Sequence, residues 1–255
     1  LRTPIAPVGL EATATGPTTV ELSWTDASDN EEGFQVQRRI AGAADWADVA
    51  STIGPDSTTY TDDGLDAETA YEYHIRAANS AGSSAWSELA SVTTPALPVY
   101  QVTYDGNSHD SGTAPVDSTD YLAGATVTVS DKGSLALSGK TFVGWNTAAD
   151  GSGTGHQPGD LFTMRANDVT FFAQWSANVY ELTVLAGTGG AVTSPASPTI
   201  AVGHGLPTTI EAEPDSGMTF SEWQVALGSA IITDSTSAST SVVLEAGDAT
   251  VEASF

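Results

Sequence analysis

The chain contains no cysteine. Disulfides, thiolate nucleophiles, zinc–thiolate centres and iron–sulfur clusters are therefore excluded. Basic residues are also scarce. Lysine and arginine total 7 against 32 acidic residues, which gives a net charge of −25 and a pI of 4.1. Phosphate and sulfate are neutralised by Lys and Arg, so this balance argues against nucleic acid, anionic membrane surfaces and polyanionic glycans as partners. No apolar run approaches the ~20 residues that span a bilayer. No window carries a capped 3.6-residue apolar period long enough for a stable helix. No secretory signal stands at the start and Leu1 rather than Met opens the chain. It is expected to be a fragment of a longer, processed protein.

What is present reads as strand. Hydrophobic residues make up 40% of the 255 positions and charged ones only 15%, enough apolar mass for folded cores. Thr19–Trp24, Phe34–Arg38 and Ala70–Ala77 alternate apolar and polar residues, so one face of each is buried and the other wet. The expected class is all-β or strongly β-rich, built from several small domains. Pro95 and Pro98 flank Ala-Leu and mark an extended, stiff linker. A second joint is expected near Ser176-Ala177-Asn178.

Beyond the first linker the sequence repeats. Val99-Tyr100-Gln101-Val102-Thr103 matches Val179-Tyr180-Glu181-Leu182-Thr183. Thr141-Phe142-Val143-Gly144-Trp145 matches Thr219-Phe220-Ser221-Glu222-Trp223. Asp168 to Trp175 matches Asp248 to Phe255. The offsets are 180 − 100 = 80, 223 − 145 = 78 and 255 − 175 = 80. Units of this length read as tandem beads with their own cores, and Trp145, Trp175, Trp223 and Phe255 as core rings.

Two resemblances follow. Residues 1–98 resemble a fibronectin type III domain through Val20-Glu21-Leu22-Ser23-Trp24, Gly33-Phe34-Gln35-Val36-Gln37-Arg38, Tyr60-Thr61-Asp62 and the run from Leu65 through Tyr71, Tyr73 and Ile75 to Ala81-Gly82. The resemblance implies a β-sandwich with Trp24 buried and Tyr71 as the tyrosine corner. The integrin-binding tripeptide of some members is absent near Asn79–Ser84, so no adhesion activity is carried over. Residues 99–176 resemble the Listeria–Bacteroides repeat, with Phe142-Val143-Gly144-Trp145 and Asp168 to Trp175. Residues 177–255 resemble its divergent form, where Glu222 replaces the glycine and Phe255 the closing tryptophan. These resemblances imply small β-grasp-like domains strung on exported bacterial proteins.

The search for chemistry returns structural readings. His74 lies on the polar parity of its strand and reads as solvated. His109, His156 and His204 sit in Gly/Ser-rich turns without metal-ligand spacing. Gly151-Ser152-Gly153-Thr154-Gly155 lacks the lysine and helix of a phosphate loop and reads as a flexible hairpin loop. No nucleophile elbow is present. Acidic groups crowd two segments, Asp26, Asp29, Glu31 and Glu32, then Asp105, Asp110, Asp117 and Asp120; Asp150 and Asp160 flank the glycine loop. Such oxygens can hold Ca²⁺, but no spaced calcium motif appears, so a solvated acidic coat is the favoured reading. Trp46 and Trp86 read as core or rim packing. Catalytic, cofactor-binding and metal residues are thus expected to be none, with no cofactor.

The expected role is a non-catalytic spacer or stalk of a bacterial extracellular or cell-surface protein. Its modules are expected at 1–98, 99–176 and 177–255. The alternative is an accessory carbohydrate-binding region of a secreted polysaccharide-active enzyme. A protein or glycan of a cell surface or matrix is the kind of partner left open. Neither nucleic acid nor membrane is expected, and the chain is expected to be a monomer.

Overall fold

The computed structural model describes residues 2–255, and it holds strands but no helix among them. The chain divides into two compact units, Leu1–Pro98 and Val99–Phe255.

The first unit carries β1 (Val8–Gly16), β2 (Thr19–Thr25), β3 (Gly33–Ile40), β4 (Ala47–Ile53), β5 (Thr59–Asp62), β6 (Ala70–Asn79), β7 (Gly82–Ser83) and β8 (Ala90–Thr93). One sheet runs β1-β2-β5. The other runs β4-β3-β6-β7, with β8 also paired to β6. Side-chain alternation fixes what lies between them. Val20, Leu22 and Trp24 point inward from β2, Phe34 and Val36 from β3, and Tyr71, Tyr73, Ile75 and Ala77 from β6. Trp24 is buried, and the Tyr71 hydroxyl accepts the Asp66 N–H at 3.0 Å, which is the tyrosine-corner bond. The sandwich edge is closed by polar bonds between sheets. Arg38 Nη1 on β3 donates to both carboxylate oxygens of Asp62 on β5, at 2.9 and 2.7 Å, and the Tyr73 hydroxyl adds a third bond at 2.9 Å.

The second unit begins with β9 (Val99–Tyr100), β10 (Val102–Asp105), β11 (Tyr121–Leu122), β12 (Thr126–Thr128), β13 (Lys140–Asn146), β14 (Gly155–His156), β15 (Leu161–Thr163) and β16 (Val169–Ala177). It continues with β17 (Val179–Ala186), β18 (Gly190–Ser194), β19 (Thr199–Gly203), β20 (Thr208–Pro214), β21 (Glu222–Gly228), β22 (Ile231–Ile232), β23 (Ser239–Val243) and β24 (Ala249–Ser254). The sheet of the first copy runs β10-β16-β13-β14, with β9–β11 and β12–β15 as separate pairs. The second copy forms two four-stranded sheets, β19-β17-β24-β21 and β18-β20-β23-β22.

The repeat seen in sequence is a repeat of register. Opening and closing strands pair in parallel, Val102 with Val169 in the first copy and Leu182 with Ala249 in the second. This is the grasp arrangement of first and last strands. No helix covers either sheet among the described residues, consistent with the missing 3.6-residue period. Asp168 and Asp248 explain the closing motif. Each accepts an opening-strand amide at 2.8 Å, from Gln101 and from Glu181. Gly144 is also explained. Its φ is +133° at a bulge in the β13–β16 ladder, and a Cβ there would stand 2.7 Å from Gln157 Nε2. Trp145 and Trp223 fill their cores. Trp175 and Phe255, expected inside, are half-buried and pack against these cores from their edges.

The second joint is not a flexible spacer. Only Asn178 separates β16 from β17. Its N–H donates to the Gly139 carbonyl at 2.8 Å, its carbonyl accepts the His204 N–H at 2.9 Å, and its Oδ1 accepts the Thr141 hydroxyl at 2.7 Å.

Candidate functional site

Two surfaces gather chemically capable side chains, one in each unit. The first is the outer face of β3 and β6. Cross-strand pairing sets Gln35 opposite Arg76, Gln37 opposite His74 and Arg39 opposite Glu72. The turn after β3 folds Trp46 onto this face, and the segment after β7 folds Trp86 onto it. The His74 ring lies between them, parallel to both, with centroids 3.8 Å from Trp46 and 3.9 Å from Trp86. Arg39 covers the other face of Trp46 at 4.5 Å, and Arg76 the other face of Trp86 at 4.3 Å. The result is a five-layer stack, Arg39–Trp46–His74–Trp86–Arg76. Each cation–ring contact contributes about 0.5–1 kcal/mol. Polar bonds hold the layers. Arg39 Nε donates to Glu72 at 2.6 Å and Arg76 Nε to Gln35 at 2.7 Å.

His74 is therefore not solvated, as its strand parity suggested; it is only 8% exposed. Parity correctly gives the face of the sheet, but loops distant in sequence cover that face. Burial and the two flanking guanidiniums push its imidazole down to about 4. Gln37 donates its amide to Asp48 at 2.7 Å, which leaves its oxygen facing His74 Nε2 at 2.9 Å. Nε2 thus carries the proton. Its Nε2 is engaged by Gln37, and both faces of its ring are covered by indoles. Both faces of both indoles are likewise covered.

The second surface is a groove of about 700 Å³ in the repeat region. Its lining includes His156, Leu161, Phe162, Arg165, Asp168 and Phe172. His156 stands edge-on to Phe162 at 5.5 Å and to Phe171 at 5.2 Å, and its Nε2 is buried without a partner.

The remaining expected residues disperse. His109 caps its own turn through the Gly106 carbonyl, and the His204 ring packs on Gly139. Asp105, Asp110, Asp117, Asp120, Asp150 and Asp160 each accept nearby hydrogen bonds rather than converging. Bonding holds Asp110, Asp150 and Asp234 below the usual carboxylate range, chiefly through neighbouring Ser or Thr. The glycine loop is pinned rather than loose. Thr147 N–H donates to the Thr154 carbonyl at 3.1 Å, and the Asn146 amide reaches the Gly151 carbonyl at 3.1 Å. In the first acidic loop Asp29 and Glu32 are exposed as expected, but Glu31 is buried. Asp56, from a different loop, joins it and was not singled out by sequence.

Comparison with known proteins finds the expected families in the expected order. Residues 5–93 match the fibronectin type III domain, residues 100–174 the Listeria-Bacteroides repeat domain and residues 180–255 the divergent InlB B-repeat domain. A Gly-rich membrane-protein relative from Evansella cellulosilytica is 45% identical over 93 residues, which is 36% of this chain and 11% of that protein. Exoglucanase B of Cellulomonas fimi is 31% identical over 209 residues, 76% of this chain and 18% of the enzyme. The chain thus spans a small part of these relatives' own length. A solved fibronectin type III-like protein from Clostridium thermocellum is 28% identical, with 38% of this chain covered, 99% of that chain and a TM-score of 0.33.

Proposed function

We propose that this chain, a fibronectin type III domain followed by a Listeria-Bacteroides repeat and a divergent InlB B-repeat domain, serves as a non-catalytic spacer within a larger exported bacterial protein. Its modules are residues 1–98, 99–176 and 177–255. They separate and present other domains, and the acidic coat limits self-association. One observation carries this reading. The tryptophan rings are committed to holding the modules together: Trp24, Trp145 and Trp223 are buried, Trp175 is bonded to the Gly106 carbonyl at 3.0 Å, and Trp46 and Trp86 are covered on both faces. The exoglucanase relative supports an accessory place beside other domains.

A second reading, glycan binding, is favoured by the groove beside Phe162 and His156, where apolar rings meet Thr, Asn and Arg side chains. Affinity electrophoresis of the whole chain in gels cast with neutral polysaccharides separates the two. The spacer reading expects unchanged mobility. Strong retardation by several polysaccharides, relieved in Phe162→Ser, would replace it with the second.

A further inference from the structure

Two acidic residues are buried among the described residues, Asp62 and Glu31. Their surroundings differ. Asp62 meets the Arg38 guanidinium and the Tyr73 hydroxyl. Glu31 is 8% exposed and has no cation beside it; the ion pairs among the described residues are Arg2–Asp29, Arg38–Asp62 and Arg39–Glu72. Its Oε1 accepts the Asp56 N–H at 3.2 Å. Its Oε2 is shut off from solvent with no partner at all. A buried, ionised oxygen without a counter-charge or hydrogen bond is costly.

What faces it is more carboxylate. Asp26 follows β2, and Asp56 lies between β4 and β5. One oxygen from each of Asp26, Glu31 and Asp56 lies within 4.8 Å of the other two. Ca²⁺ binds oxygens at about 2.3–2.6 Å, so ligands on opposite sides of one ion stand roughly 5 Å apart. A single ion can therefore touch all three groups. Asp26 uses one oxygen on the Ser28 N–H at 3.0 Å and keeps the other for a ligand.

We propose that Asp26, Glu31 and Asp56 form a Ca²⁺ site that ties the β2–β3 loop to the β4–β5 loop. Three carboxylates select a hard cation, and the lack of nitrogen or sulfur donors in the cluster disfavours zinc and copper. Carbonyl oxygens and water complete the roughly six to eight ligands that Ca²⁺ takes. The buried Oε2 then has its partner, and two loops that each cross between the two sheets are joined through the ion.

The test is calorimetry of the whole chain in millimolar CaCl₂ against EDTA, at matched ionic strength, with isothermal titration of CaCl₂ alongside. A ligand that binds only the folded state raises the unfolding temperature. The transition of Leu1–Pro98 is expected to rise by several degrees with Ca²⁺ and by much less with equimolar MgCl₂. Glu31→Gln and Asp56→Asn each abolish the rise. Asp56 is exposed, so its variant folds even if Glu31→Gln does not. Asp29→Asn retains the rise, because that carboxylate faces Arg2 at 3.2 Å. Superimposable traces in Ca²⁺ and EDTA overturn the site. So does a shift that survives Asp56→Asn, or an equal shift with Mg²⁺, which would mark general screening of an acidic surface.

Discussion

His74 shows how a single position is decided by groups far away in the chain. An imidazole pushed down to about 4 in the folded state titrates near 6.5 when unfolded. As pH falls through that window, the unfolded chain takes up the proton first. Stability from this group is complete above about pH 6.5 and is lost as pH drops toward 4, by up to about 3 kcal/mol. The charged groups around it are Arg39 on β3, Arg76 and Glu72 on β6, and Asp48 on β4 through Gln37. Urea unfolding of the first unit should therefore weaken between pH 7 and 4.5 more steeply in the natural chain than in His74→Phe, which keeps a planar ring in the stack. Parallel pH profiles would show that His74 is not the sensor. The face of His74 was legible from alternation. Its burial was not, because Trp46 and Trp86 arrive from turns whose path no local pattern records. The same limit hid the approach of Asp56 to Glu31, 25 residues away in sequence.

At the level of elements, the repeat was legible because it is written in paired contacts. Parallel pairing of first and last strands leaves the entry to each opening strand without a ladder partner, and an aspartate just before the closing strand supplies one. Removing it in Asp168→Ala or Asp248→Ala should cost about 1 kcal/mol each, since the freed amide of Gln101 or Glu181 lies at an exposed position. Asp→Asn should cost less, because the amide oxygen still accepts. Denaturant midpoints of the four variants check this, and a loss confined to one copy would mean that the shared motif does not share its role. The copies diverge where glycine is needed. Gly144 occupies its bulge at positive φ, whereas Glu222 sits in a regular part of the β21–β24 ladder, whose bulge falls later, between Val225 and Leu227. The absence of helix was legible from missing periodicity. The division of the second copy into two full sheets was not, because its short strands β18, β20, β22 and β23 carry a weak alternation that fixes no partner order.

For the molecule as a whole, the two joints differ in kind. Composition marks the Pro95–Pro98 stretch, and the chain divides into its two compact units there. The second joint was placed by the sequence near Asn178, and four hydrogen bonds, with Gly139, Thr141, Tyr180 and His204, converge on this one residue from both copies. Gly139 completes it. With φ at +69° and the His204 ring against it, a Cβ there would collide with His204 Cδ2. Only glycine gives both the backbone turn and the seat for the ring. The two cores of Val99–Phe255 are separate, but the bonds between them make independent unfolding unfavourable. The whole chain should then melt in two calorimetric transitions, one for Leu1–Pro98 and one shared by both repeat copies, the latter with matching calorimetric and van't Hoff enthalpies. Gly139→Val should split the shared transition by displacing His204 and straining the turn. Asn178→Ala, which deletes the side-chain bonds to Thr141 and Tyr180 and leaves the backbone ones, should broaden it with little loss of either core. Three well-resolved transitions in the natural chain would return the repeats to the status of independent beads.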